Sequence, residues 1–247
     1  MTSSVMRVEG LGISFGGLKA VDDVTFDVGR FQVTTVIGPN GAGKSTLFNL
    51  ISGALRPRSG RVLIEGIDLT GKSPQQIKAH GLSRSFQITN LFFELSVREN
   101  LRLAAQDLER SRFSLLPTKK SARALAKVDE MLERFGLGAK ADELAGSLSH
   151  GEQRRLEIAV CLASEPNVLL LDEPTQGMSQ GDTDETRELI SSLASTVTIL
   201  LIEHDVGLVM SISDYIVVMH QGRKLAAGDP QSVRANAAVQ AAYFGHA

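Results

Sequence analysis

The chain has 247 residues, 43% of them hydrophobic, which suits one large domain or two small ones and excludes a disordered chain. A formal net charge of −2 argues against general nucleic-acid binding, which shows as a strong basic excess, so no nucleic-acid partner is expected. The single cysteine, Cys161, rules out an internal disulfide and reads as a buried small residue in a reducing compartment.

The opening stretch MTSSVMRVEG is polar and carries no signal-peptide pattern. The apolar runs NVLLLD and VTILLIEH fall far short of the roughly 20 residues that span a bilayer, so a soluble, cytoplasmic chain is expected. Strands come first. Leu11, Ile13 and Phe15 alternate, then Val24, Phe26 and Val28, and Val62 and Ile64 lead into an EG turn. QVTTVI reads as a buried strand that delivers the chain to GPNGAGKS, after which Leu47, Leu50 and Ile51 recur at helical spacing until Gly53. SPQQIKAHG predicts a helix with Ser73 as cap, Pro74 at its first position and Gln76 completing a capping box.

From Asn90 to Ser164 the pattern is mostly helical, with Leu125, Val128, Leu132 and Phe135 as one apolar stripe ending at Gly136. ERSRFSLLPTKKSARALAK carries six basic residues against one acid. It reads as a solvated loop and helix face, with a membrane- or partner-facing patch as the alternative. The chain then alternates: NVLLLD strand, TRELISSLAS helix, VTILLI strand, VGLVMSI helix, YIVVMH strand. That order predicts a mostly parallel sheet with helices on its faces.

GPNGAGKS fits G-x-x-x-x-G-K-[ST] and lies between a predicted strand and a predicted helix, the context a phosphate-binding loop requires. Glycines let backbone N–H groups curl inward as an anion nest, and the helix start adds its positive dipole end. Lys44 is expected to reach the β- and γ-phosphates and the Ser45 hydroxyl to ligate Mg²⁺. VLLLDEP supplies the carboxylates. Asp172 is expected to hold Mg²⁺ through water, and Glu173 to polarise the water that attacks the γ-phosphate. LSHGEQRRLEIA places Ser149 and Glu152 as a capping box at a helix start, with Gly151 allowing close approach of a phosphate.

In this order and spacing the motifs resemble the nucleotide-binding subunits of ATP-binding cassette (ABC) transporters over essentially the whole chain. LSHGEQRRLEIA resembles that family's signature motif. Gln87 in SRSFQ is similar to its glutamine loop, a catalytic and Mg²⁺-contacting position, and His204 in LLIEHD to its catalytic switch histidine. Phe15 in SFGG is similar to the aromatic that stacks on adenine, the alternative being an ordinary strand residue of the core. The resemblance implies ATP and Mg²⁺ as ligands. Gly38, Pro39, Asn40, Gly41, Ala42, Gly43, Lys44, Ser45 and Thr46 would then form the phosphate site, and Ser149, Gly151 and Glu152 the signature face. It also implies an α/β fold: a P-loop NTPase (RecA-like) core with an amino-terminal antiparallel β subdomain and an inserted α-helical subdomain. One ABC ATPase domain then spans 1–247, with 1–88 and 165–247 as the catalytic core and 89–164 as the helical signature subdomain.

The resemblance further implies a head-to-tail dimer, each phosphate loop facing the other subunit's signature motif across an isologous interface. Two departures stand out. His150 occupies the position of the signature's usual second glycine, and Ser179 stands where many members have aspartate. The signature, the long helical insert and the closing VQAAYFG resemble the importer ATPases for branched-chain amino acids and related amides and ureas. That subgroup implies membrane permease partners, a second ATPase subunit of the same or a related chain, and a periplasmic solute-binding protein. The chain would lie on the inner face of the cell membrane. The alternatives are the ATPase of a lipopolysaccharide-type exporter, a soluble ABC ATPase outside transport, and an ATP-binding regulator without turnover.

Overall fold

The computed structural model describes residues 4–85, 91–108 and 122–243. Strands β1 (Ser4–Phe15) and β2 (Leu18–Gly29) pair as a hairpin, and β1 also pairs with β4 (Ser59–Ile64), which turns back into β5 (Ile67–Asp68). The predicted EG turn between β4 and β5 has φ of 49° at Glu65 and 75° at Gly66. Positive values at both central residues suit the right-handed twist of a two-residue hairpin. Alternation buries Leu11, Ile13, Val24, Phe26, Val28, Val62 and Ile64 as expected. Phe15 departs from it. At the hairpin tip it is 50% exposed, so it is not a core residue.

The second sheet is built from β3 (Val33–Ile37), β6 (Leu82–Arg84), β7 (Val168–Asp172), β8 (Thr198–Ile202), β9 (Tyr215–His220) and β10 (Arg223–Gly228). Among the described residues their order is β10-β9-β3-β8-β7-β6. All neighbours are parallel except the edge pair β9–β10. Every residue of β3, β7 and β8 is buried, as strands covered on both faces must be. Opposite Ile202 of β8 lie Val36 of β3 on one side and Asp172 of β7 on the other, so these strands end level at one edge.

Helix α1 (Lys44–Ile51) follows β3 and stops before Gly53, whose φ is 76°. Helix α2 (Pro74–Ala79) has the predicted reciprocal capping box: the Ser73 N–H donates to Gln76 Oε1 at 3.0 Å and Ser73 Oγ accepts from the Gln76 N–H. The helical stretch contains α3 (Val97–Ala105), α4 (Ala122–Arg134) and α5 (His150–Leu162). In α4 the buried stripe is Ala124, Val128, Met131 and Leu132, continued by Phe135, and the helix ends where Gly136 takes φ of 63°. Leu125, expected in that stripe, is 36% exposed: the 3.6-residue period centres on Val128 and Met131 and leaves position 125 at the rim. The basic stretch falls largely on 109–121, outside the described residues.

Downstream come α6 (Gln180–Leu193), α7 (Val206–Ile212), α8 (Pro230–Ala235) and α9 (Ala237–Tyr243). One apolar core joins α3, α4, α5 and α6 to Val33, Leu169, Leu171, Ile199 and Leu201 on one face of the large sheet. A second joins Val36, Leu170, Leu200, Ile202 and Val217 to α1 and the antiparallel sheet, and a third packs α7, α8 and α9 against Ile37, Ile216 and Val218. The parallel sheet is therefore the middle layer, and its carboxyl edge is where the motif residues gather. Cys161, expected to be buried, keeps an exposed fraction, while burial pushes its thiol up to about 11.

Candidate functional site

The loop after β3 is shaped by its glycines. Gly43 caps α1 with φ of 98°, and a Cβ there would stand 2.3 Å from the Ala20 carbonyl oxygen. A Cβ on Gly38 would meet the Met219 carbonyl oxygen at 2.4 Å. Only glycine fits either position. The start of α1 has no side-chain cap and no acidic residue in its first turn, so its N–H groups keep the positive end of the helix for an anion. Ser45 is exposed and Thr46 half-buried on that turn.

Lys44 is 7% exposed, and its ammonium donates to the carbonyls of Gly38 at 2.6 Å and Pro39 at 3.3 Å. Burial lowers its pKa, opposed by the charges of Glu173 and Asp172. That opposition ties the loop electrostatically to the end of β7. A cation folded against a glycine-lined helix start, with two carboxylates in range, fits a magnesium-bound triphosphate.

Asp172 is 3% exposed, and the Arg84 guanidinium donates to its Oδ2 at 2.9 Å. Arg84 also donates to Asn49 Oδ1 at 2.8 Å and Ser52 Oγ at 2.7 Å, both on or just after α1. Among the described residues no hydrogen bond reaches Asp172 Oδ1, the oxygen left for a metal or its water. Glu173 follows with φ of 46°, in the left-handed region that side chains rarely adopt, directly before Pro174. Such a conformation costs on the order of 1–3 kcal/mol and persists only where neighbours hold it. The Glu173 N–H donates to the Ile202 carbonyl at 2.9 Å, tying this turn to the end of β8.

His204 lies two residues beyond β8, its side chain 57% exposed, and its N–H donates to Glu203 Oε2 at 3.0 Å. Glu203 is fully buried, and its Oε1 accepts from the N–H of Thr175 at 3.1 Å and the hydroxyl of Thr175 at 2.6 Å. The loop, Asp172, Glu173 and His204 thus share the carboxyl edge of the sheet. Phe15 stands exposed at the β1–β2 hairpin, and Gln87 lies outside the described residues.

The signature residues are built separately. Ser149 caps α5, its N–H donating to Glu152 Oε2 at 2.9 Å, and Lys140 pairs with Glu152 Oε1 at 2.8 Å. A Cβ on Gly151 would stand 2.7 Å from Asp182 Oδ1, so the first turn of α5 rests against the first turn of α6. Ser179 caps α6: its Oγ accepts from the Asp182 N–H and donates to Asp182 Oδ2 at 2.7 Å. Serine caps a helix start as well as aspartate does, so the cap is kept at this departure from the family pattern.

The Lys140 ammonium and the Ser149 N–H hold the Glu152 carboxyl down at about 2, against 4.5 normally. A folded-state value below the unfolded one stabilises above the unfolded value, and the gain is lost as pH falls through the folded one. The stability gap between wild type and Glu152→Gln should therefore be full above pH 4.5, shrink as pH falls toward 2, and narrow in high salt. Urea unfolding at stepped pH measures it, and a gap that does not change with pH refutes the pairing.

The sequence alone does not single out Arg84, Glu203 or Thr175. A charged residue closing the apolar run TILLIE is the one local signal that could have found Glu203.

An ABC transporter family model matches residues 21–176, and a branched-chain amino acid ATP-binding cassette transporter model matches residues 223–247. The chain is 44% identical to the high-affinity branched-chain amino acid transport ATP-binding protein LivG of Escherichia coli K12, covering all of both. It is 42% identical to the corresponding protein BraF of Pseudomonas aeruginosa, again over the full length of both. A crystal structure of an ABC transporter ATP-binding cassette in its ADP conformation superposes with a TM-score of 0.87 at 32% identity, covering 99% of this chain and 100% of that one. With a glycine loop before α1, strand-end carboxylates and a capped α5 in place, the chain belongs to the ATP-binding cassettes of ABC transporters, in the branched-chain amino acid group.

Proposed function

We propose that the chain energises uptake of branched-chain amino acids or related amides and ureas by binding and hydrolysing ATP in a head-to-tail pair of cassettes. The observation that carries this is the gathering of the phosphate loop, Asp172, Glu173 and His204 at one sheet edge, in a chain 44% identical along its whole length to a branched-chain amino acid transport ATP-binding protein. Gly38 to Thr46 cradle the phosphates, with Lys44 turning from the Gly38 carbonyl to the phosphate oxygens, and Phe15 offers its exposed ring to adenine. Ser45, Asp172 and Gln87 would hold Mg²⁺, which when bound would supply charge neutralisation on the phosphates. Glu173 accepts the proton of the attacking water, and His204 orients the γ-phosphate.

Residues 89–164 act as the subdomain that presents Ser149, Gly151 and Glu152 to the partner cassette's nucleotide. The chain works on the inner face of the membrane, and no described helix is long and apolar enough to cross it. The permease contact is a cavity of about 450 Å³ between the two subdomains, walled by Lys78, Arg84, Ser85, Leu91, Phe92 and Cys161. Its mixed wall suits a short amphipathic helix.

Tagged chain purified from native membranes in mild detergent should bring down two polytopic permeases and a second cassette, identified by mass spectrometry. Lipopolysaccharide-export components or soluble partners alone would overturn the importer reading.

A further inference from the structure

The structure assigns Glu203 as a positioning residue for hydrolysis, one that locks the turn carrying Glu173 to the turn carrying His204. The assignment rests on the roles proposed above for those two residues. Glu203 is 0% exposed and immediately follows β8. Its carboxylate bridges two chain segments: Oε1 takes both the N–H and the hydroxyl of Thr175, and Oε2 takes the N–H of His204. Thr175 is two residues beyond Glu173, and the Glu173 N–H is itself held by Ile202, the residue before Glu203. Glu173 and its successor segment are therefore clamped at both ends to the terminus of β8.

Chemistry selects a carboxylate here. The three donors converge on one buried side chain, so each oxygen must accept, and a group with a donor of its own cannot serve both ends. Glutamine keeps the same length and can still offer one oxygen to Thr175, but its NH₂ then faces the His204 N–H. Aspartate is one methylene too short to span both turns. The positive φ of Glu173 gives the clamp its purpose, because an unfavourable backbone geometry relaxes unless its surroundings fix it. Small relaxations at such a site are costly for rate, since misplacement by about 1 Å can lower turnover on the order of 10²-fold.

Steady-state ATP hydrolysis by the purified full chain tests the assignment, with urea unfolding run on each variant. Glu203→Gln should lower kcat about tenfold or more, with KM for ATP within about twofold of wild type. Thr175→Val, which deletes one of the bonds and keeps the N–H, should lower kcat by a smaller factor, about threefold, again with KM unchanged. If Glu203→Gln does not fold, Thr175→Val alone decides. Wild-type kcat in the folded variants, or a loss of ATP binding in step with lost stability, would overturn the positioning role. A wild-type chain with no ATP turnover would refute the hydrolysis reading itself, and the positioning role with it.

Discussion

Glu173→Gln is expected to lower ATP turnover by about 10²- to 10³-fold while leaving ATP affinity within about twofold, the size of effect a lost general base produces. The amide is isosteric and keeps the backbone turn, including the bond from the Glu173 N–H to the Ile202 carbonyl. It cannot accept a proton from water. Because the loop 38–46 and Asp172 are untouched, binding should persist, and on the proposed head-to-tail mechanism the ATP-bound closed pair should accumulate. Closure is stabilised by the differential affinity of ATP for the closed state, and hydrolysis is what removes that bias. Nucleotide titration and phosphate release measured on the same preparation separate the two effects. Turnover within threefold of wild type would remove Glu173 from the chemistry and leave His204 as the first residue to examine.

The features that were legible in the sequence are short-range. The glycine turn between β3 and α1 is written in a buried strand, a glycine pattern and a helix within a few residues of one another, and the strand end at Asp172 in an apolar run. The capping boxes at Ser73 and Ser149 are four-residue patterns, and the structure forms both. Other elements have tertiary determinants. A three-residue strand such as β6 has no alternation to detect, and it is a strand because Leu82 to Arg84 lie beside Val168 to Leu170. The β9–β10 hairpin and α8 were not predicted, although their local signals exist: Gln221 and Gly222 both take positive φ, and Asp229 and Pro230 start a capped helix. Glu203 reaches its partner Thr175 across 28 residues, a pairing that no local pattern encodes.

Arg84 is joined to Asp172 across 88 residues, and its replacement carries the largest expected cost in stability. Both side chains are nearly excluded from water, at 8% and 4% exposure. In Arg84→Met the Asp172 carboxylate loses its cation while staying buried, and breaking a buried pair from one side typically costs about 3–5 kcal/mol. The guanidinium also ties Asn49 and Ser52 of the α1 segment to the end of β7, so α1 and the Asp172 carboxylate should loosen together. Arg84→Lys separates the two contributions: it keeps a charge near Asp172 but cannot reproduce the planar fork that spans three acceptors, and should retain part of the stability. Urea unfolding of both variants in chelator, against wild type, gives the comparison. If Arg84→Met unfolds within about 0.5 kcal/mol of wild type, the range of an ordinary surface substitution, Asp172 does not depend on this cation. A full loss restored in part by lysine would instead make Arg84 the strut between the nucleotide site and the cavity proposed for the permease, which its side chain also lines.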